Sequence, residues 1–569
     1  MATSSYAFSA LGSKRIDFDL LLRLVPILVE VGWDVFNVRK PDANGWNAES
    51  LSRLAAFFTP SEPKSEPTIP MTDGTHDATC NCFSIRPSYA PLAPEAESNT
   101  KRKLTVRQGS EVLTLAFSEI AFTVTSTKPD GKAGKRKHAT TLYHIIWAEV
   151  SGATLTVSFV EKKEKARSVC IKATLHGSTE AEAAEWVEDL LNAAYKDIKR
   201  NKKLKVFVNP FSGKGKSVEL FNQIVKPILD HGKCFLDITF TTHRKHAVEV
   251  AREISLDYDA IVVASGDGLS HEIFNGFAEH ENPRAAFAIP LAPVPTGSGN
   301  GCCLSLLGLE DGFDPTLATL NVLKGKYMRS DLCSVTQDGR RTISYMSVAI
   351  GLMADIDIGT EHLRWMGDTR FIYGFLRGII RQRPYPIRIS LKVSERDKHE
   401  MHETYQAAWH KQDDDVETCW DDLLPSEKLP PLRYSEAETD GWEDFDVPTL
   451  YFYSGLIPYV GRDLLQWPLA LPSDGLIDIA VQETASVMSL LGGMGIAPQG
   501  GQYWSNTQHF FKVHAYRIKA SGTGVLAIDG ENNPCNDIQV EVHKGMGAFL
   551  SPSGRFGVHF DYPAPGSKK

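Results

Sequence analysis

The apolar run at residues 260–264 (AIVVA) leads directly into Ser265-Gly266-Asp267-Gly268-Leu269-Ser270-His271-Glu272-Ile273-Phe274-Asn275-Gly276, and no other stretch limits the possible folds so strongly. A short, continuous apolar run reads as a parallel strand buried on both faces of an α/β sheet. The strand ends in a Gly-Asp-Gly turn, with a helix predicted over 270–277. Two glycines allow unusual dihedrals and close approach to a ligand. Asp267 then stands at the C-terminal edge of the sheet, where open α/β folds bind ligands. A turn of this kind suits phosphates, and its carboxylate suits a general base or a metal contact.

The surrounding sequence repeats the pattern. Strands are predicted at 204–208, 235–240 and 260–264, with helices at 217–229 and 246–254 between and after them. This alternation implies a parallel sheet with right-handed crossovers. At 569 residues the chain exceeds one core, and about two to four domains are expected. Residues 1–100 read as a largely disordered extension, because 59–99 is rich in Pro, Ser and Thr. From 101 to 199, β-branched and aromatic runs at 113–117, 120–124, 142–147 and 153–159 precede an amphipathic helix at 179–195. Several strands closed by one helix resemble a pleckstrin-homology-like (PH-like) domain. Its loop at 128–138 carries Lys132, Lys135, Arg136 and Lys137, a cluster suited either to anionic lipid or to plain solvation. The α/β domain spans 200–335, and a β-rich, sandwich-like domain follows over 336–569. Within that domain, the acidic stretch 396–446 reads as a flexible insertion.

The net charge of −9 argues against nucleic-acid binding as the main role. Nine scattered cysteines without CxxC spacing read as reduced thiols of a cytoplasmic protein. The most apolar N-terminal stretch, 20–38, is interrupted by Arg23, Glu30 and Asp34, so it does not read as a membrane span.

Two further loops share the texture of the first. Asn209-Pro210-Phe211-Ser212-Gly213-Lys214-Gly215-Lys216-Ser217 misses the P-loop pattern because Pro210 occupies its first glycine position. It remains a Gly-rich turn into a helix, whose free N–H groups favour an anion. Pro295-Thr296-Gly297-Ser298-Gly299-Asn300-Gly301 is the third. Together with Gly351-Leu352-Met353-Ala354-Asp355-Ile356-Asp357, then Arg364, Gly367 and Arg370-Phe371, and with Ile528-Asp529-Gly530-Glu531, these motifs resemble the diacylglycerol kinase superfamily. Within it, the chain resembles the sphingosine kinases, from about residue 200 to the C-terminus less the acidic insertion. Cys302-Cys303 departs from the small aliphatics usual after Asn300-Gly301.

The resemblance implies an ATP-dependent lipid kinase with Mg²⁺. Asp267 would be the general base on the lipid's primary hydroxyl. Asn209, Ser212, Gly213, Thr241, Ser265, Gly266, Gly268, Gly297 and Ser298 would line the nucleotide. Arg364 and Arg370 would neutralise phosphate, and Asp529 and Glu531 would sit near the nucleotide. Mg²⁺ would arrive with ATP and touch Asp267 or Asp529. Ser347 and Asp357 would hold the polar head of a sphingoid base, a carboxylate facing a cationic amine. Leu352, Met353, Phe371, Phe375, Leu376 and Ile379 are candidates for an acyl-chain slot or for plain core. Such an enzyme would be cytoplasmic and would meet membranes peripherally. Ceramide kinase, diacylglycerol kinase and a non-catalytic PH-like lipid-binding adapter are the alternative readings; NAD kinase shares the Gly-Asp-Gly core but not the Asp357 and Asp529 segments.

Overall fold

The computed structural model describes residues 102–565, apart from 128–132, 367–368, 411–427, 436 and 521–523. The extension expected over 1–100 lies outside them, as does Lys132. The chain divides into two compact units. The smaller joins Met1–Glu97 to Ser486–Gly495, and its described part lies within the apolar helix Val487–Ile496. The larger unit, Ser98–Ala485 with Ile496–Lys569, carries everything that follows. No helix among the described residues is long and apolar enough to cross a membrane.

The first part of the larger unit is a seven-stranded antiparallel sheet. Its strands run in the spatial order Ala133–Thr141, Ala121–Thr127, Glu111–Phe117, Arg102–Gln108, Ala166–Leu175, Thr154–Lys162, Ile145–Ser151. Helix α1 (Glu180–Tyr195) closes it, starting at a capping box in which Thr179 and Glu182 satisfy each other's backbone N–H groups. Trp186, Leu190 and Leu191 enter a core with Leu115, Phe122 and Phe159. Lys135, Arg136 and Lys137, expected in a loop, lie on the strand Ala133–Thr141, and Lys137 pairs with Glu111.

This sheet is fused to the α/β region. Ile146 and Val160 share a core with Leu204, Val206 and Leu323. Lys162 bridges to Asp311 at 2.6 Å, and Asp314 accepts a hydrogen bond from the Ala166 N–H at 3.2 Å. Buried Lys324 donates to the Ala194 carbonyl at 2.9 Å and sits on the Tyr195 ring. A cation there complements the C-terminal end of the α1 dipole.

The α/β region has the three predicted parallel strands, β1 (Lys203–Val208), β2 (Phe235–Phe240) and β3 (Ala260–Ser265), and a fourth that was not predicted, β4 (Leu291–Pro295), in the order β4-β3-β1-β2. Helices α2 (Asp267–Ala278) and α3 (Gly301–Leu307) start at the C-terminal ends of β3 and β4, and α4 (Pro315–Lys324) packs against β4. Helix α2 begins at Asp267, not at residue 270, because Gly266 already serves as its N-cap. In the C-terminal half, antiparallel strands that include β5 (Ser347–Gly351) and β6 (Thr449–Gly455) surround a core of Ile350, Phe452, Ile479, Ile518 and Val540. Two further helices, α5 (Leu352–Gly359) and α6 (Thr369–Arg381), follow β5.

Two departures from expectation stand out. The parallel and antiparallel regions form one continuous mixed sheet, because strand β7 (Ile538–Ser551) pairs with Lys326–Gln337 along one edge and, along the other, with Gln508–Ala520 near its start and with β4 near its end. The acidic stretch expected to be flexible is ordered over its described residues. Lys398–His410 is helical, and Glu443–Phe445 pairs with Ile387–Glu395. Glu541 accepts the Arg433 and Tyr434 N–H groups, and Arg517 donates to the Ser435 and Glu438 carbonyls. Buried partners elsewhere in the fold thus tie down the backbone at Arg433–Ser435 and Glu438, while Asp413–Asp415 lie outside the described residues.

Candidate active site

The three Gly-rich loops meet at the C-terminal edge of β1, β3 and β4. A Cβ at Gly266 would lie 2.6 Å from the Gly299 carbonyl, and one at Gly297 would lie 2.5 Å from the Gly266 Cα. Gly213, at φ +57°, sits under the Thr296 carbonyl, where any side chain would collide. These glycines are needed for loop-on-loop packing, which holds the three turns as one cradle. Hydroxyls reinforce it: Ser217 shares a 2.8 Å hydrogen bond with Thr296, and Ser265 donates to Ser212 at 3.4 Å. Asn209 spends its side chain on the Phe211 N–H, an Asx turn that shapes the first loop. Thr241 is buried at the end of β2, where its N–H bonds the Val208 carbonyl. Ser298 is exposed at the mouth of the third loop.

Asp267 lies where the loops converge. Its two carboxylate oxygens accept the N–H groups of Gly301 and Cys302, at 2.8 and 3.1 Å, at the start of α3. Its own carbonyl accepts the Tyr345 hydroxyl at 2.9 Å. Burial pushes its proton affinity up to about 6, the two N–H bonds oppose the rise, and the negative charge of Asp529 adds to it. A carboxylate with a raised pKa in a cleft suits proton transfer.

Asp357 stands on α5 beneath the Asp529-Gly530-Glu531 turn, where a Cβ at Gly530 would lie 3.4 Å from its Oδ2. Burial raises its pKa to about 6, Arg370 works against the rise, and Glu361, Asp267 and Glu531 add to it. Arg370 is buried, donates to the Asp357 carbonyl at 3.4 Å and to Thr360 at 3.3 Å, and lies over the Phe371 ring. The structure therefore puts Arg370 beside Asp357. The Arg364 side chain lies outside the described residues. Ser347 is buried on β5 and within this group.

Asp529 requires a correction. Expected near the nucleotide or Mg²⁺, it has a fully buried side chain and φ +49°. It accepts from the Ser344 hydroxyl at 2.7 Å and from the N–H groups of Tyr345, Met346 and Ser347 at 2.8–3.1 Å, and it pairs with His271 at 2.8 Å. With these bonds its lone pairs are used up, so it organises the site from below and offers nothing to a metal. Glu531 remains at the mouth, half-exposed, paired with Arg244 and facing Gly268.

Several residues had no role assigned from the sequence. Asp267, His271 and Asn275 recur every four residues along one face of α2. His271 is held above its usual pKa: burial opposes this, and the Asp529 pairing outweighs it. Asn275 exchanges two hydrogen bonds with the Ile343 backbone at 2.9 Å. The i, i+4 spacing was a visible signal; the partners, near residues 343 and 529, were not.

No group of three or more metal-ligating side chains occurs among the described residues. Asp267 and Glu531 are the carboxylates that fit Mg²⁺, which usually takes one or two carboxylates together with substrate phosphates.

Comparison with known proteins agrees with this geometry. Residues 203–335 match the diacylglycerol kinase catalytic domain, and residues 99–196 match a domain of unknown function. Sphingoid long chain base kinase 4 of Schizosaccharomyces pombe is 29% identical over 419 residues, 73% of this chain and 88% of that protein. Sphingoid long chain base kinase 5 of Saccharomyces cerevisiae is 31% identical over 66% of this chain and 63% of its own length. Sphingosine kinase 1 of Arabidopsis thaliana is 32% identical over 62% of this chain and 76% of its own length. The chain is a member of the sphingosine kinase family, the sphingoid long-chain-base kinases that carry a diacylglycerol kinase catalytic domain.

Proposed function

We propose that this protein transfers the γ-phosphate of ATP to the primary hydroxyl of a sphingoid base. The observation that carries the reading is the presence of two buried carboxylates close enough to feel each other's charge, one of them beside the three-loop cradle. Asp267 adjoins the three-loop cradle, and Asp357 lies within reach of its electrostatic field. In this reading the cradle of Ser212, Gly213, Ser265, Gly268, Gly297 and Ser298 takes the nucleotide phosphates. Asp267 accepts the hydroxyl proton as the oxygen attacks phosphorus. Little covalent work is needed beyond that, since phosphoryl transfer depends mainly on position and charge neutralisation. Mg²⁺ supplies charge neutralisation on the phosphates when bound, with Asp267 or Glu531 at hand. Asp357 receives the ammonium group, and Ser347 a neighbouring polar atom.

In the same reading residues 102–195 are a PH-like domain fused to the catalytic region, and α5 with α6 borders the lipid entry. The enzyme works in the cytoplasm and reaches its substrate at a membrane surface. A substrate panel with radiolabelled ATP tests the assignment: sphingoid bases are phosphorylated, and ceramide and diacylglycerol, which lack the amine, are not. Phosphorylation of either neutral lipid with the bases untouched overturns it.

A further inference from the structure

Strands β5 and β6 pair antiparallel, with Ala349 opposite Tyr453 and Ser347 opposite Gly455. Val348, Ile350 and Phe452 point into the C-terminal core. By alternation, Ser347, Ala349, Tyr453 and Gly455 share the other face, the one carrying the head-group serine. Tyr453 is only 5% exposed, and it shares its sheet face with Ser347, diagonally across the strand pair. Burial first, then the negative field of Asp357, keep its phenol firmly protonated.

The ring has little freedom. Tyr453 meets Trp467 edge to face, with centroids 4.7 Å apart and planes at 70°. Trp467 is itself fully buried and occupies the space over Gly455, where even a methyl group would overlap the indole. The glycine admits the tryptophan, and the tryptophan backs the tyrosine. The ring is therefore held on the face that carries Ser347 and within the field of Asp357, and a phenolic hydroxyl can both donate and accept a hydrogen bond.

A sphingoid base carries three polar groups on consecutive carbons: the primary hydroxyl, the ammonium and a secondary hydroxyl. With the first at Asp267 and the second at Asp357, the third falls one carbon further along. We propose that Tyr453 is a specificity-determining residue whose hydroxyl, on a ring braced by Trp467, hydrogen-bonds the secondary hydroxyl on carbon 3 of the base. The inference rests on the sphingoid-base reading above and adds a residue and a ligand atom to it. Its energetic logic is that a buried group built to meet a hydroxyl is left unpaired by a substrate lacking one.

The test compares sphinganine with 3-deoxysphinganine, using the full-length chain and its Y453F variant, with kcat/KM measured for both bases. Wild type should favour the 3-hydroxylated base by roughly tenfold or more. Y453F should lose about that factor with sphinganine and little with the 3-deoxy base, so the preference shrinks towards one. Equal losses for both bases would mark Tyr453 as merely structural and overturn the proposal. So would a wild type that does not distinguish the two bases, a result independent of whether the variant folds. If wild type phosphorylates neither base, the sphingoid-base reading falls, and this inference with it.

Discussion

Asp267 and Asp357 arrive at the same proton affinity, about 6, by different routes. In both cases burial does the raising. What opposes it differs: two backbone N–H groups at the start of α3 for Asp267, and the Arg370 guanidinium for Asp357. Asp267 is thus held by main chain, which no side-chain substitution removes, while Asp357 is held by a replaceable side chain on the α6 helix. In the proposed reading, the reacting end is fixed by main chain, and the recognition end can be retuned by substitution.

Substitutions can break that contrast at either end. The largest effect belongs to Asp267→Asn, which keeps shape and N–H contacts but removes the proton acceptor; kcat should fall by about 10²–10⁴, with nucleotide binding retained in a fluorescent-analogue titration. Retained turnover would refute the base assignment. Next comes Asp357→Asn, which leaves an incoming ammonium unpaired at a cost of roughly 2–5 kcal/mol. The loss should appear as a kcat/KM drop of about 10²-fold with an amine-bearing base.

Gly297→Ala probes the main-chain side, because its Cβ would press on the Gly266 Cα at 2.5 Å. About a tenfold rise in KM for ATP is expected, whereas the same change at Gly461, whose Cβ would meet nothing within 4 Å, should leave kinetics unchanged. Arg370→Gln probes the side-chain side. Arg370 lowers the Asp357 pKa, so its loss should move the acidic limb of log kcat/KM to higher pH. In wild type that limb should fall below about pH 6 with a slope approaching two, since both carboxylates act ionised.

Stability runs the opposite way. Both folded-state pKa values lie above the unfolded value, so these groups favour the fold most below the ordinary carboxylate range, and this contribution is lost as pH rises through about 6. Asp357→Asn should therefore raise Tm at pH 8 by a few degrees, at about 2–4 °C per kcal/mol for a mid-sized domain. This is the smallest of the effects and is read by differential scanning calorimetry.

The sequence is unevenly informative, for physical reasons. Strands β1 to β3 announce themselves as short runs rich in apolar residues, and glycine turns mark where β1 and β3 end, whereas β4, with Pro293 and Pro295, gives no such signal. Strands Arg102–Gln108 and Ala166–Leu175 escape notice because their exposed faces are crowded with charge, which blurs the alternation. Asp529-Gly530-Glu531 is recognisable as a turn, but its direction is not. The left-handed backbone at Asp529 aims the carboxylate at a turn some 180 residues earlier in the chain, and only the closed sheet brings the two together. Tyr453 gives no local signal at all: its meaning comes from Ser347 one strand away and from Trp467, which the glycine at 455 admits.

The strand Ile538–Ser551, which stitches the two sheet regions together, also governs how the protein is made. The three-loop cradle is encoded before residue 302, yet β4 beneath it gains its β7 neighbour, through Leu291 and Phe549, only when the chain is almost finished. A ribosome must emit some 250 more residues before that edge can close. During synthesis β4 waits as an open, apolar edge, the kind that invites wrong partners. Nascent chains stalled or cut short before residue 538 should therefore aggregate or recruit chaperones instead of yielding an early, half-built kinase.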